Sequence, residues 1–155
     1  MLSRRADYGV RAMMDIASRQ PTERTIVSDI ARRQDIPPPF LAKIVPRLAR
    51  AGLVRTALGA TGGITLAASP EDITLLQIIE AIDGPLALNL CSLNPANCKH
   101  YTTCSACQVW GAAQAQLQHT LAQTRLSDLT VALDTSQTRR AGAVATRTRK
   151  PIPVR

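Results

Sequence analysis

Aromatic residues are scarce in this chain, with one Trp, one Phe and two Tyr among 155 residues. Stacked rings therefore cannot supply its core, which must come from Leu, Ile, Val, Ala and Met, a mixture that favours helices. Long apolar runs are also lacking. No stretch approaches the roughly 20 residues that a membrane span needs, and the opening Met1-Leu2-Ser3-Arg4-Arg5 leads into an amphipathic pattern rather than a secretory apolar stretch. The expectation is a soluble cytoplasmic protein with no membrane partner. No nucleophile–base pattern, phosphate-cradling glycine loop or carboxylate pair placed for acid–base work is found, so catalysis is not expected. The length allows one compact unit with extensions, not two large domains.

Charge is present in excess of one sign, and unevenly. The net charge is +8. Residues 1–60 carry eleven Lys/Arg against five Asp/Glu, residues 61–133 two against five, and residues 134–155 six against one. A basic N-terminal lobe beside a mildly acidic remainder is the footprint of a surface that meets a polyanion, most often DNA.

Periodicity then orders the chain. Val10, Met13, Met14 and Ala17 recur at helical spacing between Ser3 and Ser18. Ile26, Val27, Ile30 and Ala31 mark a second short helix, with Thr25 or Ser28 as its cap. Asp35-Ile36-Pro37 makes a turn, and Pro38 or Pro39 suits the first position of a third helix, whose buried stripe is Leu41, Ile44, Val45 and Leu48 and whose end is Gly52. Pro46 falls inside that helix, where a kink is expected. Two short helices joined by a tight turn form a helix-turn-helix. Leu53 to Thr56 and Ile64 to Ala67 bracket a glycine-bearing loop and read as a hairpin, so the fold class is mainly α, a winged helix-turn-helix with a small β-hairpin wing. Thr74 and Gln77 fit a capping box, Ile73 and Ile78 a hydrophobic staple, and Gly84-Pro85 a stop. Val109, Ala113, Leu117 and Leu121 then repeat every fourth residue, beside Trp110, along a Gln- and Ala-rich helix. A second copy of the chain is an attractive cover for that stripe. The resulting division is a DNA-binding domain over 1–84, a cysteine-rich loop over 85–108, a dimerisation helix and turn over 109–133, and a disordered basic tail over 134–155.

All four cysteines, Cys91, Cys98, Cys104 and Cys107, fall within 17 residues, separated by six, five and two residues. Without an export signal, such clustering suggests metal ligands or redox groups rather than structural disulfides. Thiolates suit iron–sulfur clusters and zinc alike. Structural zinc favours two close pairs, whereas only Cys104 and Cys107 form one here, so the wide spacing favours a cluster, 2Fe–2S or 4Fe–4S, over zinc or unliganded redox thiols.

Several segments together resemble the IscR/NsrR family of bacterial iron–sulfur regulators, over about residues 1–133. They are Leu2 to Tyr8, Ile30 to Pro37, Phe40 to Ile44, Leu48 to Val54, the wing Gly59 to Ala67, and Ile73-Thr74-Leu75. The resemblance implies a homodimeric transcription regulator, a repressor, held by a long helix at about Val109 to Gln123. It would bind an inverted-repeat site in double-stranded DNA and sense nitric oxide, redox state or iron–sulfur supply. Cys91, Cys98 and Cys104 fall where the family's three cluster cysteines lie. For the fourth ligand the chain offers two residues. Cys107 stands where one branch has a histidine, and Asp7 matches the N-terminal aspartate that another branch supplies from the partner subunit. His100 and His119 are weaker candidates. Expected DNA contacts are Arg4, Ser28, Pro38, Lys43, Arg47 and Arg50 on the helices and Arg55, Thr61 and Gly62 in the wing. A zinc-bound or thiol-switch repressor would keep the DNA-binding part and change only the sensor, and an iron–sulfur electron carrier would leave the winged helix unexplained.

Overall fold

The structure is a computed structural model, and it describes residues 2–19, 23–57, 59, 62–94, 96 and 98–130. Six helices and one hairpin follow in the order α1 (Arg4–Ala17), α2 (Val27–Gln34), α3 (Pro38–Arg50), β1 (Val54–Ala57), β2 (Gly63–Leu66), α4 (Leu75–Asp83), α5 (Leu90–Leu93) and α6 (Ala106–Gln123). A last helical turn covers 126–130. Thr61 and the tail over 134–155 lie outside the described residues.

Local chemistry sets most of the boundaries. Ser3 caps α1, its hydroxyl accepting from the Ala6 N–H. Helix α2 starts at Ile26 with no side-chain cap, correcting the expectation of Thr25 or Ser28. Thr25 is instead held by backbone bonds to Ile64, at 3.2 and 2.8 Å, which add a short third rung to the hairpin. At the end of α2, Asp35 takes the left-handed conformation at φ 50°, and the Ile36 N–H reaches back to the Ala31 carbonyl. Aspartate is one of the few non-glycine residues that adopt this conformation readily. Pro38 opens α3, and the helix runs as one element through Pro46. It ends in a Schellman motif, with Gly52 at φ 73°, Gly52 N–H bonded to Ala49 and Leu53 N–H bonded to Leu48. That motif explains why β1 starts at Val54, one residue later than expected: Leu53 completes the helix stop. Strands β1 and β2 pair antiparallel, Val54 opposite Leu66 and Ala57 opposite Gly63.

The core lies where α1, α3 and α4 meet. Met13, Leu41, Ile44, Leu48, Ile78 and Ile82 are fully buried there, joined by Ile30, Ile73 and Leu126. Gly9 allows the close approach of α1 to α4, since a Cβ at that position would sit 1.9 Å from Ile82 Cδ1. Both halves of the capping box at Thr74 and Gln77 are present, and Gly84 at φ 85° closes α4. Leu126 reaches the core because its N–H bonds to the Ile73 carbonyl at 2.8 Å, while Leu75 N–H bonds to Thr124. The end of α6 is thereby tied to the start of α4.

One polar cluster is embedded in this framework. Asp15, 5 % exposed, accepts from Arg33 Nε at 2.9 Å, Arg33 Nη2 at 2.6 Å and Gln34 Nε2 at 3.2 Å. Arg33 Nη2 also donates to Thr25 Oγ1 at 2.6 Å. The cluster joins α1, α2 and the rung beside β2. Burial alone would push the Asp15 carboxyl up, but the hydrogen bonds from Arg33 and Gln34 and the nearby guanidinium charges hold it below the ordinary carboxylate value.

Candidate DNA interface and cysteine centre

The helix-turn-helix presents an open cleft between α2 and α3, of about 630 Å³, whose lining includes Ser28, Arg32, Pro37 and Pro38. Ser28 and Pro38, separate in sequence, thus share one surface. Lys43 and Arg50 are exposed on α3, and Arg55 is exposed on β1. Gly62 stands at the base of the wing turn, its N–H bonded to Gly59 at 2.9 Å. Arg47 is differently engaged, because its Nη1 donates to the Ile82 carbonyl at the end of α4. A guanidinium committed to a helix C-terminus braces α3 against α4, which accounts for its position without DNA. Arg4 is exposed but borders another groove, of about 590 Å³, shared with Leu2, Asp7, Leu75, Ile79 and Leu121. Not every N-terminal cation is available to a polyanion, since Arg33 is bound to Asp15, Arg32 pairs with Asp29 at 3.0 Å, and Arg5 lies 3.8 Å from Asp83.

The cysteines occupy two helix starts and the turns between them. Cys91 is on α5, its thiol donating to Asn89 Oδ1 at 3.1 Å. Cys98 begins a turn whose carbonyl accepts the Tyr101 N–H at 3.1 Å. Cys104 lies two residues before α6, with Ser105 between them as the N-cap, and Cys107 lies in the first turn, because the helix begins at Ala106 rather than near Val109 as expected. All four are free and half-buried. The Cys107 thiol is near enough to those of Cys104 and Cys91 to feel both electrostatically, so three of the four share one neighbourhood. Backbone N–H groups of Ala106 and Cys107, together with the Cys107 thiol, point at Cys104 and lower its pKa. Desolvation and the hydrogen bonds with Cys104 and Cys91 push Cys107 up to about 12. Among the described residues no three His, Cys, Asp or Glu side chains converge as a single metal ion requires. Asp7 lies away from the thiols on α1, 63 % exposed and 3.9 Å from Arg11. His100 and His119 are exposed.

Two polar anchors had no sequence signal. Gln114 is the one buried residue of α6, and its amide bridges the backbone on both sides of Ala87, Oε1 accepting from Leu88 N–H at 2.8 Å and Nε2 donating to the Leu86 carbonyl at 2.5 Å. Nothing distinguishes it in a run containing Gln116 and Gln118. Asp15 likewise reads as an ordinary surface carboxylate until Arg33 is placed beside it. By contrast the apolar stripe of α6 is largely uncovered within the chain. Val109 is 68 % and Trp110 45 % exposed, Ala113 is exposed, and Leu117 and Leu121 are half-buried.

A helix-turn-helix with a hairpin wing, carrying exposed cations on its recognition helix and strand, defines a winged-helix DNA-binding transcription regulator rather than an enzyme. The model of the Rrf2 family, described as "Iron-dependent Transcriptional regulator", matches residues 2–132. The chain belongs to the Rrf2 family. It is 32 % identical over 128 residues to Protein rrf2 of Nitratidesulfovibrio vulgaris, covering 83 % of this chain and 85 % of that one. It is 33 % identical over 132 residues to the HTH-type transcriptional regulator Rv1287 of Mycobacterium tuberculosis, covering 83 % and 80 %. Among solved structures it is similar to CymR, the global cysteine regulator of B. subtilis, with TM-score 0.68 and 27 % identity over 84 % of this chain and 96 % of that one. It is equally similar to IscR of T. potens, with TM-score 0.68 and 28 % identity over 88 % and 90 %. The oxidised form of S. aureus CymR follows, with TM-score 0.66 and 25 % identity over 84 % and 95 %. Among the described residues no helix is long and apolar enough to cross a membrane.

Proposed function

We propose that this regulator is a cytoplasmic homodimeric repressor of inverted-repeat operators whose DNA affinity is set by an iron–sulfur cluster on Cys91, Cys98, Cys104 and Cys107. The observation that carries this reading is the gathering of three thiols from separate stretches of chain into one neighbourhood, Cys91 of α5, Cys104 just ahead of α6 and Cys107 in the first turn of α6. Four soft donors suit iron and sulfide. When bound, a cluster would supply a centre reactive toward oxidants and nitric oxide. The chain's own part is to hold α5 and α6 in one relative placement, and loss of that shared neighbourhood would free them to move. Gln114 ties α6 to the segment leading out of α4, so that movement bears on the DNA-binding body. The exposed Val109, Trp110 and Ala113 support a second copy packed on α6. Lys43, Arg50 and Arg55, with Ser28, Pro38, Thr61 and Gly62, are the proposed DNA contacts; Arg4 contributes from α1, and Arg47 serves mainly as a brace.

Cys107 is the proposed fourth ligand ahead of Asp7, because its thiol shares a neighbourhood with those of Cys104 and Cys91 whereas Asp7 could reach the thiols only from a partner subunit. The test compares Cys107→Ala with Asp7→Ala, each purified without oxygen and assayed for iron, sulfide and visible absorption. Cys107→Ala should lose or alter the cluster and Asp7→Ala retain it, and the reverse result refutes the assignment. A second reading, a thiol switch, is favoured by the Cys104–Cys107 contact and by the solved oxidised form of the similar S. aureus CymR. A colourless, iron-free protein from anaerobic preparation whose DNA affinity changes with thiol oxidation would select it.

A further inference from the structure

The recognition helix has an unusual surface for a base reader. Its thirteen residues, Pro38 to Arg50, include no Asn, Gln, Ser, Thr, Asp or Glu. Leu41, Ile44, Val45 and Leu48 are buried, whereas Pro38, Pro39, Phe40, Ala42, Lys43, Pro46 and Arg50 are exposed; Phe40 packs edge-on against Tyr8 of α1, and Pro39, Ala42, Lys43, Pro46 and Arg50 recur at spacings of three and four that place them on one face. In the major groove, adenine is read by the paired donor and acceptor of Asn or Gln, and the cytosine amino group needs an acceptor side chain. Guanine takes the donors of Lys or Arg, and thymine offers a methyl group to apolar contact. This face can engage only the last two. Helix-turn-helix proteins use the N-terminal residues of the recognition helix at base edges, which selects Pro39, Ala42 and Lys43 over the more distant Arg50.

Resting on the DNA-binding reading above, we infer that α3 recognises thymine methyl groups through Pro39 and Ala42, next to a guanine contacted by Lys43, and reads neither adenine nor cytosine directly. The absence of acidic side chains anywhere on α3 agrees with close approach to the duplex, and Lys43 and Arg50 supply the complementary charge. Specificity would then depend on a chemical group that uracil lacks, which makes it separable from binding itself.

The full chain, prepared anaerobically, is first used to select sites from randomised duplex DNA. Each thymine of the selected half-site is then replaced singly by deoxyuridine, and affinity is measured by fluorescence anisotropy at fixed salt. One or two replacements per half-site should each weaken binding about fourfold, the worth of one buried methyl group, with the slope of affinity against salt unchanged. In Ala42→Gly the penalty at one of those positions should vanish, and the uracil scan of the unaltered protein stands whether or not that variant folds. Specific binding that tolerates uracil at every position, or a selected half-site without thymine, overturns the inference and leaves the DNA-binding reading intact. Selection that enriches no sequence at all overturns both.

Discussion

Replacing Arg33 with Met should destabilise the protein far more than replacing its partner Asp15 with Asn, although both changes break the same ion pair. The asymmetry follows from exposure. Asp15 is 5 % exposed, whereas Arg33 is 27 % exposed and can still reach water when unpaired. In Arg33→Met the carboxylate loses bonds of 2.9 and 2.6 Å and stays buried, retaining only Gln34 at 3.2 Å and Arg19 Nε at 3.8 Å. Stranding a buried charge costs about 3–5 kcal/mol, and those two remaining partners place the loss near the lower end, at about 3 kcal/mol. Asp15→Asn removes the charge itself and should cost about 1–2 kcal/mol. The pH response gives a second signature. With Asp15 held below its ordinary value of 3.8, its contribution is fully present above that value and is lost as pH falls through the lowered folded-state pKa. Without Arg33, burial, already the largest single influence on Asp15, is opposed only by Gln34 and Arg19, protonation relieves it, and the acid-side loss of stability should flatten or reverse. Urea unfolding followed by circular dichroism from neutral pH down to about pH 2, at fixed protein concentration, spans the window below 3.8 and reads both effects. An Arg33→Met variant that loses less than Asp15→Asn and keeps the original pH slope would refute the reasoning.

Gly9→Val should cost about 1–3 kcal/mol and lower the thermal midpoint, because its side chain must enter space held by the fully buried Ile82; a midpoint matching the parent would show that α1 and α4 are not so closely fitted. Arg55→Ala should weaken DNA binding across sequences and flatten the plot of log affinity against log salt by about one unit, as loss of one phosphate contact requires. An unchanged slope would remove Arg55 from the interface.

The helices and the wing were readable because their ends are written in residue chemistry with short range: the Thr74–Gln77 box, the Gly52 stop, and Pro38 at a first turn. Pro46 was legible as an anomaly, and α3 runs through it because the stripe of Leu41, Ile44, Val45 and Leu48 is buried on both sides of it. The cysteine window was visible as clustering, but spacing could not show that Cys107 lies in the first turn of a helix, in the neighbourhood of Cys91. Partnerships over long separations left no trace. Arg33 looked like surface charge until the fold brought Asp15, eighteen residues earlier, against it. Arg47, a basic residue on a recognition helix, is turned toward Ile82 by the packing of α3 on α4, and no local pattern encodes that turn.

The amide of Gln114 gives the short connector after α4 a fixed length. By holding Leu86 and Leu88 at once, it behaves like the edge of a neighbouring strand, and the connector must present a carbonyl and an N–H two residues apart on the same side. Inserting or deleting one residue between Gly84 and Leu86 would leave α4 and α6 in place while shifting which backbone groups meet the amide. The segment therefore works as a ruler: the distance from the DNA-binding body to Cys91 is counted in residues, and sequence drift there can change composition more freely than number.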